Sequence, residues 1–248
     1  MEKKNILFGL RPIIEAIEAG REFEKIYLKK GADGVLLNEL AELCKEKHIR
    51  VQWVPVEKLN HLTRSNHQGA VGVTSAIEYV DVHEMLAEIP EGETPLLVIF
   101  DGVTDVRNFG AIVRTAECAG VCAVVIPSEG SAPVSADAVK ASAGAIFRVP
   151  LCKSRNLTDT AYYLQQCGLK IICATEKTAD TVYSADMSVP LAVVMGNEEK
   201  GISKQLLKMC DQRAKLPLEG EIGSLNVSAA CAAVLYEAVR QRSVLKKV

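Results

Sequence analysis

From Leu96 onward the chain repeats one pattern: a strand-length apolar run, a polar loop, then a segment with apolar residues at helical spacing. Strands are expected at 96–101, 122–126, 147–151, 170–174, 191–195 and 213–216. Helices are expected at 109–119, 135–143, 156–167, 202–209 and 226–242. Parallel neighbours need a crossover, and helical crossovers cover the sheet. The expected fold class is therefore α/β, a mostly parallel sheet with helices on both faces. Such sheets bind ligands in loops at the carboxyl ends of their strands.

The first 76 residues read as a separate small α/β domain. A helix is expected over Arg11–Gly20, with proline near its start and glycine at its end. Strands at 25–28, 50–54 and 70–76 alternate with helices at 35–47 and 57–62, and a polar loop spans 63–69. Residues 77–95 crowd acidic side chains with Pro90 and Pro95, and read as a linker with a turn or two of helix near Val82–Ile89. Residues 96–248 form the second domain.

Hydrophobic residues make up 48% and charged ones 24%, the balance of a globular chain. No apolar run approaches the ~20 residues of a membrane span, and no secretory signal opens the sequence, so a cytoplasmic location is expected. The eight cysteines are scattered and read as buried free thiols. Cys118 and Cys122 have no nearby histidine or second pair, so no metal is expected. The net charge of −2 argues against broad, unspecific nucleic-acid binding but leaves room for a local basic patch. Lysine and arginine number 12 against 11 acidic residues over 1–78, and 17 against 20 beyond.

Three polar blocks stand where strands give way to helices: Asn108-Phe-Gly-Ala-Ile-Val-Arg114-Thr-Ala, Gly196-Asn-Glu198-Glu-Lys-Gly201 and Gly223-Ser-Leu-Asn226-Val-Ser-Ala229. Neither a dinucleotide glycine fingerprint nor a P-loop is present, and no G-x-S-x-G or H-E-x-x-H occurs. Asn108, Arg114, Glu198, Ser224 and Asn226 offer amides, a hydroxyl, a fixed cation and a carboxylate. That set suits transfer to a hydroxyl of a phosphate-bearing substrate better than hydrolysis. Each residue also has a plainer reading. Asn108 and Asn226 could cap helices, Glu198 could favour a following helix, Arg114 could snorkel and Ser224 could belong to a turn.

The last helix, Val227-Ser-Ala-Ala-Cys-Ala-Ala-Val-Leu-Tyr236, is apolar around nearly its whole circumference and rich in small residues. Such a helix needs cover on all sides, and a second copy of the chain is the expected cover, making a homodimer. The alternative is an internal core helix.

In order and placement the three blocks resemble the signature motifs of the SpoU (TrmH-like) RNA 2′-O-methyltransferases: N-x-G-A-x-x-R-T-A, G-x-E-x-x-G and S-L-N-V-S-x-A followed by Tyr-Glu. Asp101-Gly-Val-Thr-Asp105 and the loop Gly130–Ser135 are similar to segments of the rRNA-directed members. This resemblance implies a carboxyl-terminal trefoil knot, which sequence rules would not predict. S-adenosylmethionine would be held in the knot loops, through Thr175, Gly196, Leu216 and Leu225. It further implies a catalytic site of Asn108, Arg114, Glu198, Ser224 and Asn226 at a dimer interface. The first domain resembles the ribosomal-protein-like RNA-binding module of the rRNA guanosine branch, with Arg11, Arg64, Asn66 and His67 as candidate RNA contacts. Many relatives begin that module with Gly-x-His, where this chain has Gly9-Leu-Arg11-Pro12.

The implied activity is methylation of a guanosine ribose 2′-hydroxyl in large-subunit ribosomal RNA. Two alternatives are a tRNA guanosine target and a non-catalytic RNA-binding assembly factor. The tRNA branch typically lacks a separate first module, and all five catalytic-type residues are present here.

Overall fold

The structure is a computed structural model and describes residues 6–18, 21–74 and 77–245. The chain divides into two compact units, the boundary falling after Glu78.

Unit 1 runs β1 (Ile6–Phe8), α1 (Leu10–Glu18), β2 (Phe23–Lys29), α2 (Val35–Glu46), β3 (Val51–Val54), α3 (Val56–Leu62) and β4 (Ala70–Thr74). Its four strands are ordered β1-β4-β2-β3. The β2–β3 pair is parallel, and β4 lies antiparallel to both its neighbours. Alternation along β2 sends Ile26 and Leu28 toward Ile13, Ile17, Leu37 and Leu40 of α1 and α2. On the other face Leu59 of α3 packs on Val54 and Val71. Gly72 leaves room for the Phe23 ring, which any Cβ there would strike. The sequence reading misses β1, three residues long. The expected helix stop at Ala19–Gly20 and the strand end at Ser75–Ala76 lie outside the described residues.

Unit 2 opens with α4 (Val82–Ala87) and β5 (Leu96–Asp101), then α5 (Val106–Cys118), β6 (Ala123–Pro127) and α6 (Ala136–Ala141). It continues through β7 (Leu151–Ser154), α7 (Leu157–Gln166), β8 (Lys170–Ala174), β9 (Leu191–Gly196), α8 (Lys204–Met209), β10 (Gln212–Ala214) and α9 (Val227–Leu245). The sheet order is β10-β8-β9-β5-β6-β7, and every pair is parallel. One face, carrying Leu97, Ile99, Val125, Ile171 and Val194, is covered by α4, α7 and α8. α5 packs on the other face, with Phe109 edge-on to Phe100 at 5.3 Å, and α9 packs against α5 and β9. From β5 the chain steps outward through β6 and β7, then crosses to β8 and β9 on the other side. The carboxyl ends of β5 and β9 flank the point where that direction reverses, with Asp101 opposite Gly196.

Three expectations need correction. The strand expected at 147–151 lies at Leu151–Ser154, and Ala145–Phe147 form a 3-10 turn that leaves Phe147 59% exposed. The apolar run before Pro150 misleads there. Segment 77–95 is largely part of unit 2: Val80 bridges Cys152 on edge strand β7, and Val82 and Met85 are buried in the core. Of the cysteines, Cys44, Cys152, Cys173 and Cys231 are buried free thiols, but Cys118 and Cys167 are exposed. Burial pushes the Cys231 thiol up to about 12, as befits an inert core group.

Candidate functional site

Asp105 caps α5, its Oδ1 accepting from the backbone N–H groups of Arg107 and Asn108, each at 2.9 Å. Those bonds hold the Asp105 carboxyl below its ordinary range, the Asn108 N–H contributing most. With the cap supplied by Asp105, the Asn108 side chain is released for other work. Its Nδ2 donates to Glu198 Oε1 at 2.5 Å, and its Oδ1 accepts from Asn226 Nδ2 at 3.1 Å. An ionised carboxylate only accepts, so Glu198 fixes which way the Asn108 amide faces.

Asn226 has two functions. Its Oδ1 caps α9, accepting from the Ser228 N–H at 3.0 Å and the Ser228 hydroxyl at 2.6 Å. Its Nδ2 completes the relay to Asn108. Asn226 thus caps α9 and contacts Asn108 at once, whereas the Asn108 side chain makes no capping bond among the described residues.

Glu198 sits on a tight loop between β9 and α8. Asn197 shapes it: Oδ1 accepts from the N–H groups of Glu199 and Lys200, and Nδ2 donates to the Gly102 carbonyl. Asp101 Oδ2 accepts from the Ser203 N–H at 2.6 Å. The two loops at the reversal point are thereby tied together. Gly196 is required by close approach, because a Cβ would stand 2.5 Å from the Gly201 carbonyl carbon and the Ile202 nitrogen. Gly201 is required by a φ of +68°. Sequence reasoning passed over Asp101, Asp105 and Asn197 as site-shaping residues. The signal was available, since acidic or amide side chains directly before a helix or tight turn are the usual caps.

Beside this relay lies a cavity of about 350 Å³ whose lining includes Thr175, Gly196, Leu216 and Leu225, the four positions expected to meet a cofactor. Glu198 and Ser224 also line it. Ser224 is on the exposed stretch 217–226 between β10 and α9, so the third block stands well beyond its strand rather than at its end.

Arg114 is not in the relay. It lies six residues beyond Asn108 on α5, about 9 Å along the axis and roughly 120° around it. Its side chain is exposed and makes no hydrogen bond or ion pair among the described residues. On α9, Val227, Cys231, Val234, Leu235 and Ala238 are buried, while Ala229, Ala233 and Tyr236 form an exposed stripe, Tyr236 at 51%. Farther along, Arg242 donates to the carbonyls of Thr94, Pro95, Met187 and Val189, fastening the end of α9 to the segments that lead into β5 and β9.

In unit 1, Arg11, Arg64 and Asn66 are exposed. His67 is not available as expected. It is 9% exposed, its Nδ1 accepts from the Gly69 N–H at 3.0 Å, and its Nε2 is 2.9 Å from Asn60 Oδ1. Acceptance at Nδ1 puts the proton on Nε2, which donates to Asn60. The ring is committed to shaping the loop and is withdrawn from the RNA-contact set.

Residues 95–236 match the SpoU rRNA methylase family, and residues 6–80 match the RNA 2′-O ribose methyltransferase substrate-binding domain. The chain belongs to the SpoU rRNA methylase family. It is 36% identical over 241 residues to a Staphylococcus aureus (strain COL) protein assigned to the TrmH family of tRNA/rRNA methyltransferases, covering 96% of each chain. The AdoMet-bound rRNA methyltransferase from Sinorhizobium meliloti is 26% identical, with a TM-score of 0.61 over 95% of this chain and 87% of that one. The A. aeolicus TrmH/SpoU tRNA modifying enzyme is 30% identical, with a TM-score of 0.58, over 62% of this chain and 78% of that one.

Proposed function

We propose that this protein is an S-adenosylmethionine-dependent methyltransferase acting on the ribose 2′-hydroxyl of a guanosine in large-subunit ribosomal RNA. The observation that carries the reading is the Asn226–Asn108–Glu198 relay at the rim of the cavity. The cavity fits the donor on its own terms. Its volume is within the range of small-molecule sites, and Gly196, packed tightly against the backbone of Gly201 and Ile202, forms part of its wall. Thr175, Gly196, Leu216 and Leu225 would hold the donor. When bound, S-adenosylmethionine supplies a methyl group on a positively charged sulfur, open to attack by an oxygen.

The protein's task is to aim that oxygen. Glu198 Oε1 is occupied by Asn108, while Oε2 carries no hydrogen bond among the described residues and accepts the proton of the ribose hydroxyl. Asn108 and Asn226 hold the carboxylate in place, and Ser224 adds a hydroxyl at the rim. Arg114 presents a planar guanidinium fork of hydrogen-bond donors with no acceptor, which matches phosphate oxygens. Its role is to hold a backbone phosphate or the forming alkoxide.

Arg114 stands apart from the relay of its own chain, and α9 bears an exposed stripe of Ala229, Ala233 and Tyr236. Both features favour a homodimer in which Arg114 of the partner subunit completes each site. The trefoil knot implied by the sequence motifs belongs to the same reading, supported by the family membership. The rRNA target is favoured because the S. meliloti rRNA enzyme parallels nearly the whole chain, whereas the A. aeolicus tRNA enzyme parallels less than two thirds. The test is radiolabelled methyl transfer to rRNA and tRNA, followed by mapping of ribose methylation. Label on rRNA that vanishes with Asn226→Ala is the expected result. Label on tRNA alone would move the target, and label on neither would leave only an RNA-binding role.

A further inference from the structure

Unit 1 carries a second cationic region, away from the loop of Arg64 and Asn66. The β2–β3 register sets Ile26 opposite Val51, so Lys25 stands opposite Arg50, just before the two strands begin to pair. Lys25 is on the α3 face of the sheet, its Nζ 5.5 Å from the Tyr27 ring centroid, and Tyr27 packs against the small core beneath α3. Lys58 precedes the buried Leu59 on α3, and both Arg50 and Lys58 are exposed. Partial burial, then the positive charges of Arg50 and Lys58, hold Lys25 below the usual lysine range, while Glu24 pulls the other way.

Crowding like charges is unfavourable to the fold, and composition does not impose it here, since cations and acids nearly balance over residues 1–78. α3 is seven residues long, and the Arg50 and Lys58 side chains flanking Lys25 remain exposed. Gln52, exposed and paired in register with Tyr27, adds amide donors and an acceptor beside the cations. The loop 63–69 meets the far end of β2, where the Lys29 N–H donates to the Gly69 carbonyl. From Lys25 to Lys29 a strand advances about 13 Å. The two cationic regions therefore lie far enough apart to engage different phosphates of one nucleic-acid backbone.

We infer that Lys25, Arg50 and Lys58 form a phosphate-binding surface on the α3 face of unit 1, which grips the RNA backbone independently of its sequence. This rests on the RNA methyltransferase reading and adds a docking surface separate from the reaction centre. A chain of net charge −2 has no general attraction for polyanions, so a concentrated patch is how it would gain one.

The test measures binding of the full chain to a large-subunit rRNA transcript and to bulk tRNA across a salt series. Each phosphate contact contributes about 0.7–0.9 to the slope of log affinity against log salt. The triple variant Lys25→Gln, Arg50→Gln, Lys58→Gln is expected to lower that slope by about 2 and weaken binding about tenfold or more near 0.1 M salt. Its melting temperature is expected to hold or rise, since repulsion is relieved; a merely structural role would lower it. The control, Arg21→Gln, Lys45→Gln, Lys47→Gln, removes the same charge elsewhere in unit 1 and is expected to leave the slope nearly unchanged. Should the triple variant fail to fold, Arg50→Gln alone, at an exposed position, is expected to lower the slope by nearly 1. Equal slopes for patch and control variants would overturn this surface and leave the enzyme reading standing. If the unaltered protein bound neither RNA, both would fall.

Discussion

Asn226 reaches back 118 positions to donate its side-chain amide to Asn108, at 3.1 Å, while its carbonyl oxygen caps the helix it precedes. One side chain thus links helix stability to site geometry, and a pair of substitutions separates the two. Asn226→Ala removes both functions, costing about 1 kcal/mol of stability and, through displacement of Asn108, about 100-fold in turnover. Asn226→Ser keeps a good capping oxygen but lacks the amide donor. Thermal melting should be near normal for Asn226→Ser while methyl transfer stays depressed; normal transfer would mean that the amide contact is incidental.

Gly196→Ala drives a methyl group into the backbone of Gly201 and Ile202, atoms with no flexible end to yield. Overpacking of this kind costs about 1–3 kcal/mol. The loop carrying Glu198 shifts with it, so calorimetric uptake of S-adenosylmethionine should weaken along with the melting temperature. A variant that melted and bound like the parent would show that the loop is softer than its contacts indicate.

Arg114 has no partner among the described residues, so Arg114→Gln should change stability by less than about 0.5 kcal/mol. Turnover should collapse. Arg114→Lys should not rescue it, because a point charge cannot reproduce the guanidinium fork. Mixing Arg114→Gln with Asn226→Ala subunits tests the shared site directly. Activity should reappear in the mixture, since one site of each mixed dimer then has all its groups. Additive inactivity would place the whole site within one chain.

Glu237 on α9 is 6% exposed, and its carboxylate accepts two hydrogen bonds from Arg240 and one from Gln241. The Arg240 bonds lower its pKa most, against the opposing effect of burial. A depressed carboxylate pKa stabilises the fold above the unfolded value of about 4.3, and that contribution disappears as pH falls through the folded value. Glu237→Gln should therefore melt lower than the parent near pH 7, with the gap closing in acid. A gap that stayed constant with pH would rule out the ionised form as the source.

The fold class was legible because unit 2 is built from buried parallel strands whose apolar runs stand out from the polar loops between them. The strand misplaced before Pro150 shows the limit of that signal, since an apolar stretch can form a 3-10 turn instead. The short β1 left no periodicity to read. For the site, residue types and order were enough to nominate Asn108, Glu198 and Asn226. Their connection was not legible, because it depends on Asp105 taking over the cap of α5. His67 illustrates the opposite error: a polar residue in a polar loop looked free for RNA, yet both ring nitrogens are committed internally. The Lys25–Arg50–Lys58 group was equally hidden, being scattered in sequence and gathered only by strand register.

The relay bridges separations of 90 and 118 residues, and its third member precedes the last helix of the chain. Long-range closures of this sort form late, after local helices have already appeared. A refolding sample should accordingly regain its far-ultraviolet dichroism well before it regains the capacity to modify RNA. Any intermediate caught in that interval would look native to a spectrometer while remaining chemically silent.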